Sequence, residues 1–109
     1  MYQIGFTEPA EEDLRATLRY ISHVLDSPAA ARDLLSETER QLETIAAVPY
    51  SCPLVRDDYL ASKAIRSLRV KNYRLFYVVN QAESTVSVIR FLYARRDWEK
   101  LLQADVEPH

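Results

Sequence analysis

Apolar residues cluster most densely in the stretch 64–98, and the other segments are arranged around it. Residues 65–71, 73–80 and 85–93 are rich in Val, Ile, Phe and Tyr, which suit a pleated, half-buried surface, so they predict three consecutive strands. The third carries apolar residues on both faces (Val86, Val88 and Leu92 against Ile89 and Phe91), which predicts a central strand. Val70-Lys71-Asn72-Tyr73 reads as the first hairpin turn, with Asn72 suited to a left-handed backbone; a two-residue loop there sets Arg69 opposite Arg74 on one face. Residues 80–84 make the second turn.

Upstream, residues 2–6 alternate apolar and polar as a half-buried strand does. Thr7 offers a hydroxyl N-cap, and Glu8, Pro9, Glu11, Glu12 and Asp13 load the first turn of a helix. Ala10, Leu14, Leu18, Ile21 and Leu25 give that helix one apolar stripe ending near Leu25. Ser27 and Pro28 then start a second helix, with a stripe of Ala31, Leu34 or Leu35, Thr38, Leu42 and Ile45 running to about Ala47. So short a link predicts an antiparallel hairpin that packs on the sheet. Pro49 and Pro53 mark residues 48–58 as a loop, residues 98–102 as a short closing helix, and residues 103–109 as a fraying end. The fold class is α+β, with Leu14, Leu18, Leu42, Leu75, Tyr77 and Ile89 expected in the core.

The 109 residues form one domain, 1–109, large enough for a single ordinary core that buries about two-thirds of the unfolded surface. A lone Cys52 excludes an intrachain disulfide and fits a reducing compartment. Neither a signal peptide nor a membrane-length apolar run is present, so a cytoplasmic protein is expected, without a membrane partner. Charge is divided: residues 1–62 hold 5 Lys and Arg against 11 Asp and Glu, net −6, while residues 63–109 hold 9 against 5, net +4. A polyanion would meet the C-terminal half.

Arginines recur through the strands at Arg66, Arg69, Arg74 and Arg90, and Arg95 and Arg96 follow. Each needs a partner or water, so one face or edge must stay open, and a surface of guanidinium forks and tyrosines suits an anion such as phosphate. Other chemistry is not supported. There is no Cys/His cluster for zinc, and Gly5, the only glycine, cannot form a phosphate-cradling loop. No serine has a histidine partner, and His23 and His109 sit on a helix and at the frayed end. No metal and no cofactor are expected.

Several stretches carry a family likeness in order: FTEPAEEDL at the first strand–helix junction, Ser27-Pro28-Ala29-Ala30-Ala31, Asn72-Tyr73-Arg74 running into an apolar strand, and VIRFLYARRDW. Together they resemble the RelE/ParE superfamily of bacterial toxins over nearly the whole chain. The resemblance implies an N-terminal strand, a helix hairpin, three antiparallel strands and a short C-terminal helix. It also implies the growth-inhibitory half of a type II toxin–antitoxin module, of the plasmid-stabilising kind, whose antitoxin wraps it with an extended or helical segment. A homodimer or a toxin–antitoxin hetero-oligomer is the expected assembly. RelE-type members cut mRNA in the ribosomal A site without a metal; ParE-type members poison DNA gyrase.

Carried over residue by residue, Arg74 matches the arginine that RelE-type enzymes place on the phosphate, and Arg95 their C-terminal arginine. Arg66 and Arg69 fall where those enzymes are basic; with Arg90, Arg96 and Trp98 they are candidates for binding nucleic acid or target. Arg74 has a structural alternative, a salt bridge to Asp57 or Asp58. The general acid is missing: RelE-type members place a tyrosine or histidine beyond the basic motif, where this chain reads Asp97-Trp98-Glu99-Lys100-Leu101-Leu102. Tyr93 stands where many relatives have histidine and would need Arg95 and Arg96 to lower its pKa, or else it packs on Trp98. Three readings remain: an endoribonuclease using Arg74, Arg95 and Tyr93; a gyrase poison, favoured by the missing acid and the long helices; and a degenerate relative that only binds its partner.

Overall fold

In the computed structural model, which describes residues 1–106, the alternating N-terminus forms β1 (Gln3–Phe6) and the acid-rich run forms α1 (Glu8–Arg19). Thr7 joins them: its Oγ1 accepts from the Ala10 amide at 3.3 Å and donates to the Ile89 carbonyl at 3.1 Å. The helix continues through one π-helical turn, Tyr20–Val24, closed by Leu25 N–H donating to the Tyr20 carbonyl at 3.1 Å. Asp26 reverses the chain with φ of 51°, and Ser27 caps α2 (Pro28–Ala47), as its sequence predicts. Thr38, buried within α2, donates to the Leu34 carbonyl at 2.8 Å and so carries no unmet donor.

The π turn shifts the helix phase. A regular helix would keep Leu25 on the apolar stripe, but the wider turn rotates it outward, and Tyr20, Val24 and Leu25 are all exposed. Residues 48–58 are largely loop, as expected, yet they cover an edge. Leu54 bridges Arg66, and the Val55 amide donates to the Ile65 carbonyl at 3.0 Å. A short helix missed from sequence, α3 (Asp58–Ser62), is capped by Asp57.

β2 (Arg66–Val70), β3 (Tyr73–Asn80) and β4 (Thr85–Tyr93) form the expected antiparallel meander. β1 joins it parallel to β4, giving the order β1-β4-β3-β2 with β4 internal, as its two apolar faces predict. Arg69 and Arg74 are direct cross-strand partners. The left-handed residue of that turn is Lys71 (φ 54°) rather than Asn72, whose carbonyl instead accepts from the Ala94 amide at 2.9 Å. The register slips at Phe76/Tyr77, leaving Ile89 as the extra residue of a bulge at the level where β1 ends.

Two cores result. The helix hairpin covers one face over Leu75, Tyr77, Val88 and Phe91; the other face holds Phe76, Leu92, Leu60 and Leu102. α4 (Trp98–Val106) covers part of that second face and runs past the expected end at Leu102 because Leu102 and Val106 both find apolar partners there. Residues 107–109, including His109, lie outside the described residues. Of the expected core residues, Leu75 and Tyr77 are fully buried, whereas Leu14, Leu18 and Leu42 are half-buried beside open grooves and Ile89 is half-buried at the margin of the second core. No helix among the described residues is long and apolar enough to cross a membrane.

The Tyr77 hydroxyl donates to the Pro49 carbonyl at 2.7 Å, tying the loop to the core. Burial, first of all, pushes its pKa well above the ordinary tyrosine value of about 10. The folded state therefore holds this proton more tightly than the unfolded chain. Its contribution is complete below pH of about 10 and is lost as pH rises through the folded value. Tyr77→Phe should cost about 1–3 kcal/mol in urea unfolding at neutral pH and flatten the loss of stability above that pH. An unchanged alkaline slope would contradict this role.

Candidate functional site

β1 stops at Phe6, level with Val88, so the second half of β4 has no strand on its outer side. α1 replaces one. The Thr7 amide donates to the Val88 carbonyl at 2.9 Å, and Asp13 Oδ2 accepts from the Phe91 amide at 3.1 Å. Both Asp13 oxygens also take Arg90, at 2.6 Å from Nε and 2.9 Å from Nη2, while Arg90 Nη1 reaches Asp105 on α4 at 3.1 Å. The Asp13 and Arg90 side chains are each only 14% exposed. The Asp13 hydrogen bonds raise the Arg90 pKa still further, against the opposing effect of burial. Arg90, expected to bind a target, is thus committed to holding α1, β4 and α4 together. Asp13 was missed as its partner. The signal was present: three residues after Ala10 and next to Leu14, it sits at the margin of the apolar stripe, where an acid needs a cation.

The remaining arginines divide by strand parity. Arg66 folds back on the loop, where Nη1 donates to the Cys52 carbonyl at 2.7 Å and the guanidinium lies 5.0 Å from the centre of the Tyr50 ring. Arg69 and Arg74 point to the second face. Arg74 Nη1 donates to Ser67 Oγ at 2.9 Å, and Arg69 Nε to the Lys71 carbonyl at 2.8 Å. The proposed Arg74 salt bridge to Asp57 or Asp58 does not form. Asp57 is engaged in capping Leu60 (2.9 Å) and in accepting from Gln103 (3.1 Å). Arg95 and Arg96 are exposed in the turn after β4. Among the described residues none of Arg69, Arg74, Arg95 and Arg96 has an ion-pair partner. Trp98 is half-buried on Phe76, with ring centres 5.1 Å apart, and anchors α4.

Tyr93 packs edge-on against Tyr73 (5.8 Å, 70°), not on Trp98, and Tyr73 stacks on Phe91 (5.4 Å, 13°). These three rings lie on the hairpin face, whereas Arg74 pairs with Leu92 on the other. Strand alternation therefore separates Tyr93 from Arg74, and the trio of Arg74, Arg95 and Tyr93 does not converge on one face. Tyr93 and Tyr73 instead line a cleft of about 610 Å³ between the π turn and the ends of β3 and β4, together with Thr17, Tyr20, Leu25, Asn72 and Arg96. Burial, then the nearby Tyr93 and Tyr20, pushes the Tyr73 hydroxyl above its usual pKa, so it is a protonated donor at neutral pH. Sequence reasoning missed this cleft because the π turn that builds its wall leaves no mark in the apolar period. Among the described residues no group of three His, Cys, Asp or Glu side chains could hold a metal ion.

Two shallower grooves flank β1. Met1, Ile4, Leu42 and Ala46 line one of about 530 Å³, and Phe6, Leu14 and Leu18 line the other, of about 380 Å³. The amides of Gln3 and Thr7 turn towards β4, so by alternation those of Ile4 and Phe6 face the open edge.

The same arrangement of hairpin, sheet and terminal helix occurs in solved toxins. The toxin of a chromosomal ParDE system from P. aeruginosa superposes with a TM-score of 0.67 at 16% identity, over 87% of this chain and 98% of that one. Isolated E. coli RelE gives 0.58 at 18% identity, covering 97% and 100%. A chain of the intact E. coli RelBE toxin–antitoxin complex gives 0.54 at 19% identity, covering 88% and 100%. The fold is that of the RelE/ParE toxins. No curated protein sequence matches the chain. The model of the ParE toxin of type II toxin–antitoxin systems matches residues 4–98, and the chain belongs to that family.

The Arg69–Arg74 pair sets like charges directly opposite each other without an acid between them, an arrangement that costs stability. Arg69→Thr, a substitution that also suits a strand, should therefore stabilise the fold by about 0.5 kcal/mol in urea unfolding at low salt, with the gain shrinking as salt is added. A loss of stability would show that Arg69 is already compensated.

Proposed function

We propose that this chain is the growth-arresting toxin of a toxin–antitoxin pair and acts by binding and poisoning DNA gyrase, without cutting RNA. The observation that carries the choice of target is the separation of Tyr93 and Arg74 onto opposite faces of the sheet. Transesterification of RNA needs an acid, a base and phosphorane stabilisation converging on one phosphodiester. Among the described residues the one histidine, His23, sits on the π turn and does not line the cleft that holds Tyr93 and Arg96. Membership of the ParE family supports the same choice.

The antitoxin belongs to the proposal as well. RelE is solved in an intact complex with its antitoxin. Here the open edge of β1 and its two flanking apolar grooves suit an extended or helical segment. A second reading, a ribosome-dependent endoribonuclease working through Arg74 and Arg95, draws on the unpaired Arg69 and Arg74 on the second face.

Two assays on the unmutated protein separate the readings. The proposal expects inhibition of gyrase supercoiling, relief on adding the cognate antitoxin, and no cleavage of mRNA on programmed ribosomes. Robust A-site cleavage, abolished on the order of a hundredfold by Arg74→Ala in a folded protein, would instead establish the nuclease.

A further inference from the structure

The cleft beside the π turn has a composition that the proposed function leaves unused. Tyr73 is fixed by its stack on Phe91, and Tyr93 stands at 70° to it, so the two rings make a corner. Tyr20, half exposed, lines the cleft from the π turn, and Asn72 lines it from the turn between β2 and β3. Only two lining side chains carry charge. Asp13 has both oxygens taken by Arg90, so its charge is answered; Arg96 has no ion-pair partner among the described residues. The cleft thus offers one free cation, a corner of aromatic rings and an amide with both a donor and an acceptor.

We propose that this cleft binds a nucleotide, with the base on the Tyr73–Tyr93 corner, its polar edge towards Asn72, and the phosphate on Arg96. Aromatic side chains stack bases of any kind, an amide reads a base edge, and an arginine fork grips phosphate. A volume of about 610 Å³ accommodates a mononucleotide and lies in the range of ordinary small-ligand sites. A purely aliphatic or aromatic anchor from a protein partner would fit the exposed Leu25 but leave the phenol hydroxyls, Asn72 and Arg96 unmatched. The ligand is either a free nucleotide or one unit of a single strand, which present the same chemistry. The site lies on the hairpin face, away from Arg69 and Arg74.

The test is titration of the full chain, by calorimetry or amide chemical shifts, with AMP, GMP, CMP and UMP, the matching nucleosides, inorganic phosphate, indole and a 5′-phosphorylated tetranucleotide. At least one mononucleotide should bind one-to-one, about tenfold tighter than its nucleoside, and inorganic phosphate should bind weakly. Arg96→Gln should reduce that mononucleotide to the level of the nucleoside, and Tyr93→Ala should weaken both on the order of tenfold. Both residues are exposed, so an unchanged thermal melt verifies the fold, and Arg96→Gln suffices alone should Tyr93→Ala not fold. Arg56→Gln, an exposed loop residue outside the cleft, should change nothing. A tetranucleotide that binds more than tenfold tighter than the mononucleotide identifies a strand as the ligand; equal binding identifies the free nucleotide. The proposal is overturned if no mononucleotide binds at millimolar concentration or if inorganic phosphate binds as well as a mononucleotide. It also fails if Arg56→Gln weakens binding as much as Arg96→Gln, or if indole fills the cleft as tightly as any nucleotide, which would make it a protein-anchor pocket.

Discussion

The ion pair between Asp13 and Arg90 holds the layers of this fold in place. β4 is longer than its parallel neighbour β1, and beyond Val88 its outer edge needs partners that no strand supplies. Asp13 answers the Phe91 amide, and Arg90 neutralises the carboxylate that does so. The same guanidinium then reaches across to Asp105, so the hairpin layer, the sheet and α4 meet at one side chain. Withdrawing such charges from water is expensive, and their mutual attraction offsets the cost only with close geometry and further hydrogen bonds. Both conditions hold here: two bonds between the pair, a backbone amide on one partner and a second carboxylate on the other.

Local signals in the sequence were strong wherever a feature rests on neighbours along the chain. Thr7 and Ser27 cap the helices they were expected to cap, because a hydroxyl at an N-cap answers its own first turn. The two-residue turn set Arg69 against Arg74, because strand register follows from loop length. Features that depend on distant partners were not legible. The parallel docking of β1 on β4 requires knowing that the hairpin crosses over the sheet. The committed state of Arg90 requires Asp13, which lies 77 residues away. The π turn moved Leu25 off its stripe by a single inserted residue, a change below what apolar spacing can resolve.

The site follows the same division. A run of arginines in sequence suggested one basic surface, but a strand sends alternate residues to opposite faces. Arg66 went to the loop, Arg90 to the ion pair, and Arg69 and Arg74 to the second face, while Tyr93 joined Tyr73 and Phe91 on the first. Phenols and strand arginines that are neighbours in the chain are therefore separated by the thickness of the sheet. That split of the surface is the observation on which the proposed role in recognition rests.

The central structural claim is that Asp13 and Arg90 act as a unit. A double-mutant cycle with Asp13→Asn and Arg90→Met, read by urea unfolding at neutral pH, tests it most directly. Arg90→Met, which strands the buried Asp13 carboxylate, should destabilise by about 3 kcal/mol or more. Asp13→Asn, which leaves Arg90 its bond to Asp105, should cost less, and the double mutant should recover part of the Arg90→Met loss. The resulting coupling should be about 2 kcal/mol. Losses that simply add, to within about 0.5 kcal/mol, would mean that the two residues act independently and would contradict the account.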